Sequence, residues 1–340
     1  MDRKAAVIYT IVVSLLLITL VISMYYINKE EDIEKKKLEE SKDIEKIQEY
    51  ENKNKVNKDV LVKMNTTGEI IKMDMDEYLK GVVPAEMPPS YELEALKAQA
   101  IVARTYAYEK MTSGGHIDCD ICDNYAHCQA FYTKEKLFEI WKNKGYSDSL
   151  INEYWTKVEE AVSATNAVAV IYEGEYIKAY FHANSGGKTE AASEIWGKQS
   201  IPYLVPVESL GEESHTWYKS KLEITKAELE RKLNEESEVP CNIGRGNNIE
   251  ILSYTVSGRV NKIRIGSNVF DATKLRTVLG LKSTNFTVEE NNDIVTFNVT
   301  GYGHGVGMSQ TGANYYAKKG MSFEEIIKHY YTGVELTRVE

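Results

Sequence analysis

Between Glu94 and Tyr106 the chain reads EALKAQAIVARTY. Alanine is the strongest helix former, and its small side chain lets neighbouring elements pack close. A helix with so many alanines is expected at the centre of a fold, buried on several sides. Just before it stands GVVPAEMPP, Gly81 to Pro89, read as a loop pinned by Pro84, Pro88 and Pro89. One carboxylate, Glu86, sits in this apolar stretch. Apolar surroundings disfavour the charged form and raise a carboxyl pKa. A glutamate treated in this way becomes a proton donor near neutral pH. The plainer alternative is a surface glutamate between two helices.

The rest of the composition narrows the setting. At 340 residues with 43% hydrophobic content, the chain can bury one large core or two small ones. A net charge of −10 argues against nucleic acid as a partner. Tyrosine is frequent, at 23 residues, and tyrosine-rich clefts suit polar ring-shaped ligands such as sugars. Residues Ala5–Ile27 carry no charge and are long enough to span a bilayer, following a short 1–4 tail with Arg3 and Lys4. This predicts an uncleaved anchor with its N-terminus in the cytoplasm; a cleaved signal is the alternative. Residues 28–58 are dominated by Glu, Lys, Asp and Asn and read as a solvated linker. The folded part is therefore 59–340, outside the cytoplasm.

Within it, the patterns predict strands over 60–64 and 69–73, then a short helix capped by Asp74 or Asp76 and ending near Leu79. The Pro84–Pro89 loop follows, then the long helix from Tyr91 to Met111, ended by Gly114-Gly115. Two helices are expected within 134–164 and a hairpin over 167–182 with its turn at Glu173-Gly174. Further helices are expected at 226–234, 308–319 and 323–331, and strands at 250–257, 260–266 and 293–300. With no regular β-α-β alternation, the class is α+β: a single compact extracytoplasmic domain with a helical insertion at 134–164, preceded by a transmembrane helix.

Residues 116–128, HIDCDICDNYAHC, place His116, Cys119, Cys122, His127 and Cys128 in one short loop. Four such donors suit a tetrahedral zinc ion, and a sphere closed by protein ligands makes the metal structural. Two sets fit: Cys119, Cys122, His127 and Cys128, or His116, Cys122, His127 and Cys128. Disulfides are the rival reading in an oxidising compartment.

Two glycine-rich stretches follow strands: FHANSGGKT from Phe181 and GYGHGVGMSQTG from Gly301. The second lacks the Gly-Lys-Ser/Thr ending of a phosphate loop, and its glycines alternate rather than follow G-x-G-x-x-G. Nucleotide binding is rejected. Such loops bring backbone close to a ligand or to another segment, and Tyr302, His304, Ser309 and Gln310 can line a groove. His182 and His304 invite a metallo-hydrolase reading, but neither has an H-x-x-x-H partner.

Together the motifs GVVPAEMP, EALKAQAIVARTYAY, HCQAF, YFHANSGGKTE and GYGHGVGMSQTGA resemble the stage II sporulation protein D family of peptidoglycan lytic transglycosylases, related to amidase enhancers. They span about residues 60–335. The resemblance implies cleavage of glycan between MurNAc and GlcNAc with 1,6-anhydroMurNAc ends, on strands stripped of stem peptides by a partner amidase. It also implies membrane proteins of an engulfment complex as partners, and a place at the mother-cell membrane during sporulation. The family's acid falls on Glu86, and its H-x5-C-x4-H-C-Q pattern falls on His116, Cys122, His127 and Cys128, leaving Cys119 outside.

An ordinary glycosidase needs two carboxylates. A transglycosylase manages with one: Glu86 protonates the leaving oxygen, then its carboxylate takes the proton of the sugar's own 6-hydroxyl. Lys97 and Arg104, seven apart, share one face of the long helix; Gln99 and Tyr106 share another. Lys97 and Arg104 either contact substrate or anchor the segment that carries Glu86. His182, Ser185, Tyr302, His304 and Gln310 are candidate glycan contacts. A non-catalytic glycan-binding activator of an amidase is the alternative function.

Overall fold

The computed structural model describes residues 58–197, 200–236, 240–244 and 248–339. The expected tail and anchor, and nearly all of the linker, lie outside these residues. Among the described residues no helix is long and apolar enough to cross a membrane.

Strands β1 (Asp59–Lys63) and β2 (Ile70–Asp74) form the expected hairpin, with Val60 opposite Met73. Asp74 caps α1 (Met75–Glu86), its carboxylate accepting the N–H groups of Asp76 and Glu77. Here the structure corrects the sequence reading. Helix α1 does not stop near Leu79; it runs through Pro84, so Glu86 is its last residue and not part of a loop. Packing overrides the breaker. Val82, Val83 and Pro84 are buried, and the Phe131 ring fills the space beside Gly81, where an added Cβ would come within 2.4 Å of it. The Met87 N–H bonds to Val83 O and closes the last turn.

Helix α2 (Leu93–Ser113) is the central element the alanines predict. Every residue from Ala98 to Glu109 is buried, and Gly114 ends the helix in the left-handed conformation. Strand β3 (Ile121–Cys122) then lies parallel to β1. Helices α3 (Lys134–Asn143) and α4 (Asp148–Ser163) form the expected insertion, with Leu137, Trp141, Ile151 and Trp155 as their own small core.

Strand β4 (Val168–Tyr172) pairs with β5 (Glu175–Tyr176), so the hairpin is shorter than the sequence suggests. Strand β6 (Phe181–His182) leaves it, and the short helix α5 (Ala192–Trp196) follows. Next comes a segment with its own core: β7 (Lys219–Thr225), α6 (Lys226–Glu235), β8 (Ile249–Tyr254), β9 (Val260–Ile265), β10 (Asn268–Asp271), α7 (Ala272–Leu279), β11 (Phe286–Asn291) and β12 (Ile294–Thr300). Its sheets run in the orders β10-β9-β8 and β11-β12-β7, and Leu229, Ile263, Leu275, Val295 and Phe297 fill its centre. The sequence reading does not include β7, β10, α7 or β11. Strands such as KSKLEIT bury little and show charge on the solvent side, which hides their period.

The chain closes with β13 (Met308–Ser309), α8 (Gln310–Lys318), α9 (Phe323–Tyr330) and β14 (Glu335–Arg338). Strand β14 pairs with β4, and α8 and α9 pack on α2. Strand β13 pairs in parallel with β6, Met308 against Phe181 and Ser309 against His182. That pairing brings the two glycine-rich loops together. Gly307 is required there, because a Cβ would lie 1.9 Å from Tyr180 O. The fold is α+β, built around α2.

Candidate active cleft and metal loop

Because α1 ends at Glu86 beside the paired glycine loops, one cleft of 530 Å³ collects residues from distant parts of the chain. Glu86, Tyr180, His182, Arg276, Tyr302 and His304 line it, and Gln310 closes one side. Glu86 is the one carboxylate among its described lining residues. Burial pushes the Glu86 carboxyl up to about 7, against the opposing pull of the Ala130 N–H that donates to Oε1. A carboxyl poised there is a proton donor and, once ionised, an acceptor at the same pH.

The two glycine-loop histidines of the cleft are neutral. Burial, with Arg276 and Arg259 nearby, brings His304 down to about 4. Its Nδ1 accepts the Val306 N–H at 3.1 Å, which leaves the proton on Nε2. His182 is pushed well below its ordinary range by burial and by His304. Its Nδ1 lies 3.1 Å from Val306 O and so carries the proton, while its buried Nε2 has no protein partner. The rings stand 5.6 Å apart. Neither belongs to a cluster of metal-ligating groups among the described residues, which leaves the metallo-hydrolase reading without a ligand set.

Gln310 Nε2 reaches Gln99 Oε1 of α2 at 3.4 Å. Three other candidates lie away from the cleft lining. Arg104 is fully buried; it bonds Asp76 at 3.0 Å and the carbonyl oxygens of Thr165 and Val168 at 2.7 and 3.1 Å. It ties α2 to the start of α1 and to β4, which is the anchoring role and not substrate contact. Lys97 pairs with Glu94 at 2.8 Å, and the other Glu94 oxygen accepts the Phe323 N–H. Ser185 is buried and donates to Glu212 at 2.8 Å.

Glu212 is a residue the motifs do not reveal. Fully buried, it accepts from Ser185 and Gly187 on one oxygen and from Ser209 and Ser309 on the other. It clamps both glycine loops. Arg259 works from the other side: it donates to Ser185 O and lies within 2.7 Å of where a Gly305 Cβ would stand. Trp196 and Arg276 also line the cleft without a motif to announce them, beside Tyr180, the first residue of the YFHANSGGKTE motif. Trp196 is 48% exposed and stacks obliquely on Tyr180 and His304, at 4.6 and 5.4 Å. Such an open ring suits the apolar face of a sugar.

The Cys/His loop borders the same cleft through His127 and Cys128. Pairing of β3 with β1 fixes Cys122, and Asn124 O accepts the N–H groups of His127 and Cys128 to make a tight turn. The ligand atoms of His116, Cys122, His127 and Cys128 lie within 4.8 Å of one another. Cys128 Sγ is 3.2 Å from His116 Nε2 and 3.3 Å from His127 Nδ1, and Cys122 Sγ is 3.6 Å from His127 Nδ1. Zinc, with bonds of about 2.3 Å to sulfur and about 2.0–2.1 Å to nitrogen, sets tetrahedral ligands about 3.3–3.8 Å apart. The donor set fits such an ion. Cys119 falls instead into a separate group with His116 and Asp118, and all four cysteines are free of disulfides. Two residues beyond Cys128, Ala130 donates to Glu86, so this loop also sets the position of the acid.

Comparison with known proteins matches these parts. A family model described as a stage II sporulation protein covers residues 63–172, and a domain of unknown function covers 207–307. Stage II sporulation protein D of Bacillus subtilis (strain 168) is 33% identical over 269 residues, covering 78% of this chain and 75% of the relative. The protein of the same name from Bacillus amyloliquefaciens is 32% identical with the same coverage. An amidase enhancer of Bacillus subtilis (strain 168) is 29% identical, with 76% of this chain and 40% of the relative aligned. With Glu86 and the Cys/His loop inside the matched 63–172 segment and 78% of its length aligned to a relative 33% identical, the chain belongs to the stage II sporulation protein D family.

Proposed function

We propose that this protein is a membrane-anchored lytic transglycosylase that cuts the MurNAc–GlcNAc bond of peptidoglycan strands lacking stem peptides, leaving 1,6-anhydroMurNAc ends, during engulfment in sporulation. Family membership supplies the sporulation and cell-wall setting. The observation that carries the chemistry is Glu86: a single carboxyl in an aromatic-lined cleft, raised to about 7. Protonated Glu86 gives its proton to the glycosidic oxygen as the C1–O bond breaks. The resulting carboxylate then takes the proton of the 6-hydroxyl as that oxygen bonds to C1. Glu86 ends protonated, and neither water nor a second carboxylate is consumed. Neutral His182 and His304, with Tyr302 and Gln310, orient sugar hydroxyls and line the ring in its oxocarbenium-like state.

A structural zinc ion on His116, Cys122, His127 and Cys128 is part of this reading; it would fold the loop that carries Ala130 onto Glu86. So is a cell-wall amidase partner, which removes the stem peptides, and an apolar 5–27 anchor that holds the domain outside the cytoplasm with the N-terminus inside.

The test is mass spectrometry of the products from purified peptide-free glycan. Anhydro-muramyl ends are expected, with Glu86→Gln slower by roughly 10²–10⁴-fold while keeping its zinc and its fold. An active Glu86→Gln variant sinks the assignment. The amidase enhancer relative favours a second reading, a glycan-binding activator. That reading predicts no anhydro ends from this protein alone and a faster amidase in its presence.

A further inference from the structure

Arg276 is the cleft residue whose charge is left over. It projects from α7, in the segment matching a domain of unknown function, and lines the same cleft as Glu86. It is half-buried, and among the described residues no carboxylate lies within ion-pair distance of it. Its Nε donates to Leu281 O at 3.3 Å, a bond that uses one edge of the guanidinium. The other lining cation, Lys110 of helix α2, already has Glu109 at 3.5 Å. Desolvation and a charge without a counter-ion are costly together, so a half-buried arginine facing a cleft is built for an anion that arrives with the ligand. Lys282 adds a second cation close by, its Nζ 4.9 Å from the Tyr302 ring and 5.1 Å from the exposed ring of Trp217.

The planar fork of arginine matches a carboxylate in two parallel hydrogen bonds. GlcNAc is neutral. The acid of the glycan strand is the lactyl group on muramic acid, and it is an amide wherever a stem peptide is attached. Only removal of the peptide frees the carboxylate. We infer that Arg276, assisted by Lys282, binds the free lactyl carboxylate and so makes the cleft select strands whose stem peptides are gone. This rests on the glycan reading above and gives the 207–307 segment a part in choosing substrate.

The test measures binding by the full chain in detergent, carrying Glu86→Gln to stop turnover. One probe is a peptide-free glycan tetrasaccharide with free lactyl acids; the other is the same tetrasaccharide with those acids converted to primary amides. The acid form is expected to bind about tenfold tighter, in line with a charge-assisted pair, and the ratio to shrink as salt rises. Adding Arg276→Gln should bring the ratio close to one with an unchanged thermal midpoint, and Arg276→Lys should restore part of it. Equal binding of acid and amide by the protein with Arg276 intact overturns the inference, and needs no variant at this position that could misfold. So does a tenfold ratio that survives Arg276→Gln. Products without anhydro ends from protein with Glu86 intact would remove the lyase reading while leaving this ratio standing. Binding of neither probe would remove both.

Discussion

Two pairs of histidines meet at one cleft, which is lined by His127 of the first and by both members of the second, and their neighbours give them different chemistry. The rings of His116 and His127 lie 4.7 Å apart and share two thiols within 3.2–3.6 Å. Those of His182 and His304 lie 5.6 Å apart, close to buried or half-buried guanidiniums and backbone carbonyls, and among the described residues no thiol or carboxylate completes a ligand set with them. The first pair presents lone pairs to a common point. The second has each tautomer fixed by the backbone of Val306 and stays neutral. A histidine's role is set by what its other nitrogen and its neighbours hold, which residue spacing alone does not carry.

The largest effect should come from the first pair. Removing zinc with a chelator, or replacing a ligand by Cys128→Ser, is expected to cost at least ~3 kcal/mol, because the ion's binding energy is folding energy. Urea unfolding with parallel metal analysis measures it. Cleavage should fall as well, since the Ala130 N–H reaches Glu86 from this loop. A variant that keeps both its midpoint and one zinc per chain would break the comparison at its first half.

Glu86 and His304 should then show opposite pH signs. The Glu86 pKa is raised from 4.5 to about 7 in the folded state. The folded form therefore holds a proton that the unfolded chain releases, and stability is lost as pH rises from 4.5 to 7. Glu86→Gln is expected to be more stable than the natural protein at pH 8 by roughly 3 kcal/mol, with the gain absent at pH 4. Equal gains at both values would mean the carboxyl is not desolvated. Cleavage by the natural protein should decline above pH 7 as the acid ionises.

His304 is lowered from 6.5 to about 4. The unfolded chain takes up the proton first, so this contribution is present above pH 6.5 and lost as pH falls from there toward 4. His304→Gln, which can still accept the Val306 N–H, should reduce the stability lost between pH 7 and pH 4.5 by roughly 2 kcal/mol. Denaturation midpoints of the two proteins at both pH values check this; parallel losses would show that His304 stays wet enough to charge in place.

What was legible in the sequence follows the same division. The alanine run marked the central helix because small residues on every side have one structural use, and the Cys/His spacing marked the loop where donors gather but left His116 and Cys119 as alternatives. The extension of α1 through Pro84 was hidden, since it depends on Phe131 packing beside Gly81. Glu212, Arg259 and Arg276 were hidden too. Glu212 and Arg259 bond loops far away in sequence, and Arg276, a charged residue on an amphipathic helix, reads as solvated until the fold closes over it. Ser185 and Arg104 were noticed for their place in motifs, but the structure uses them to hold the loops and helices that carry Glu86, not to touch the cleft.

The smallest effect is the sharpest discriminator within the metal loop. Cys119 lies only three residues before Cys122 and sequence spacing alone makes it as good a ligand as His116. In the fold its thiol groups with His116 and Asp118, outside the set formed with Cys122, His127 and Cys128. Cys119→Ser should therefore keep one zinc per chain and change stability by less than about 1 kcal/mol, the range of a conservative change at a buried but non-ligating site. His116→Ala, in contrast, should lose the ion. If Cys119→Ser loses zinc and His116→Ala keeps it, the ligand set shifts toward the cysteines. His116 would then be a bystander whose nearness to Cys128 has no chemical use, and one member of the first histidine pair would rejoin the second in having no metal to hold.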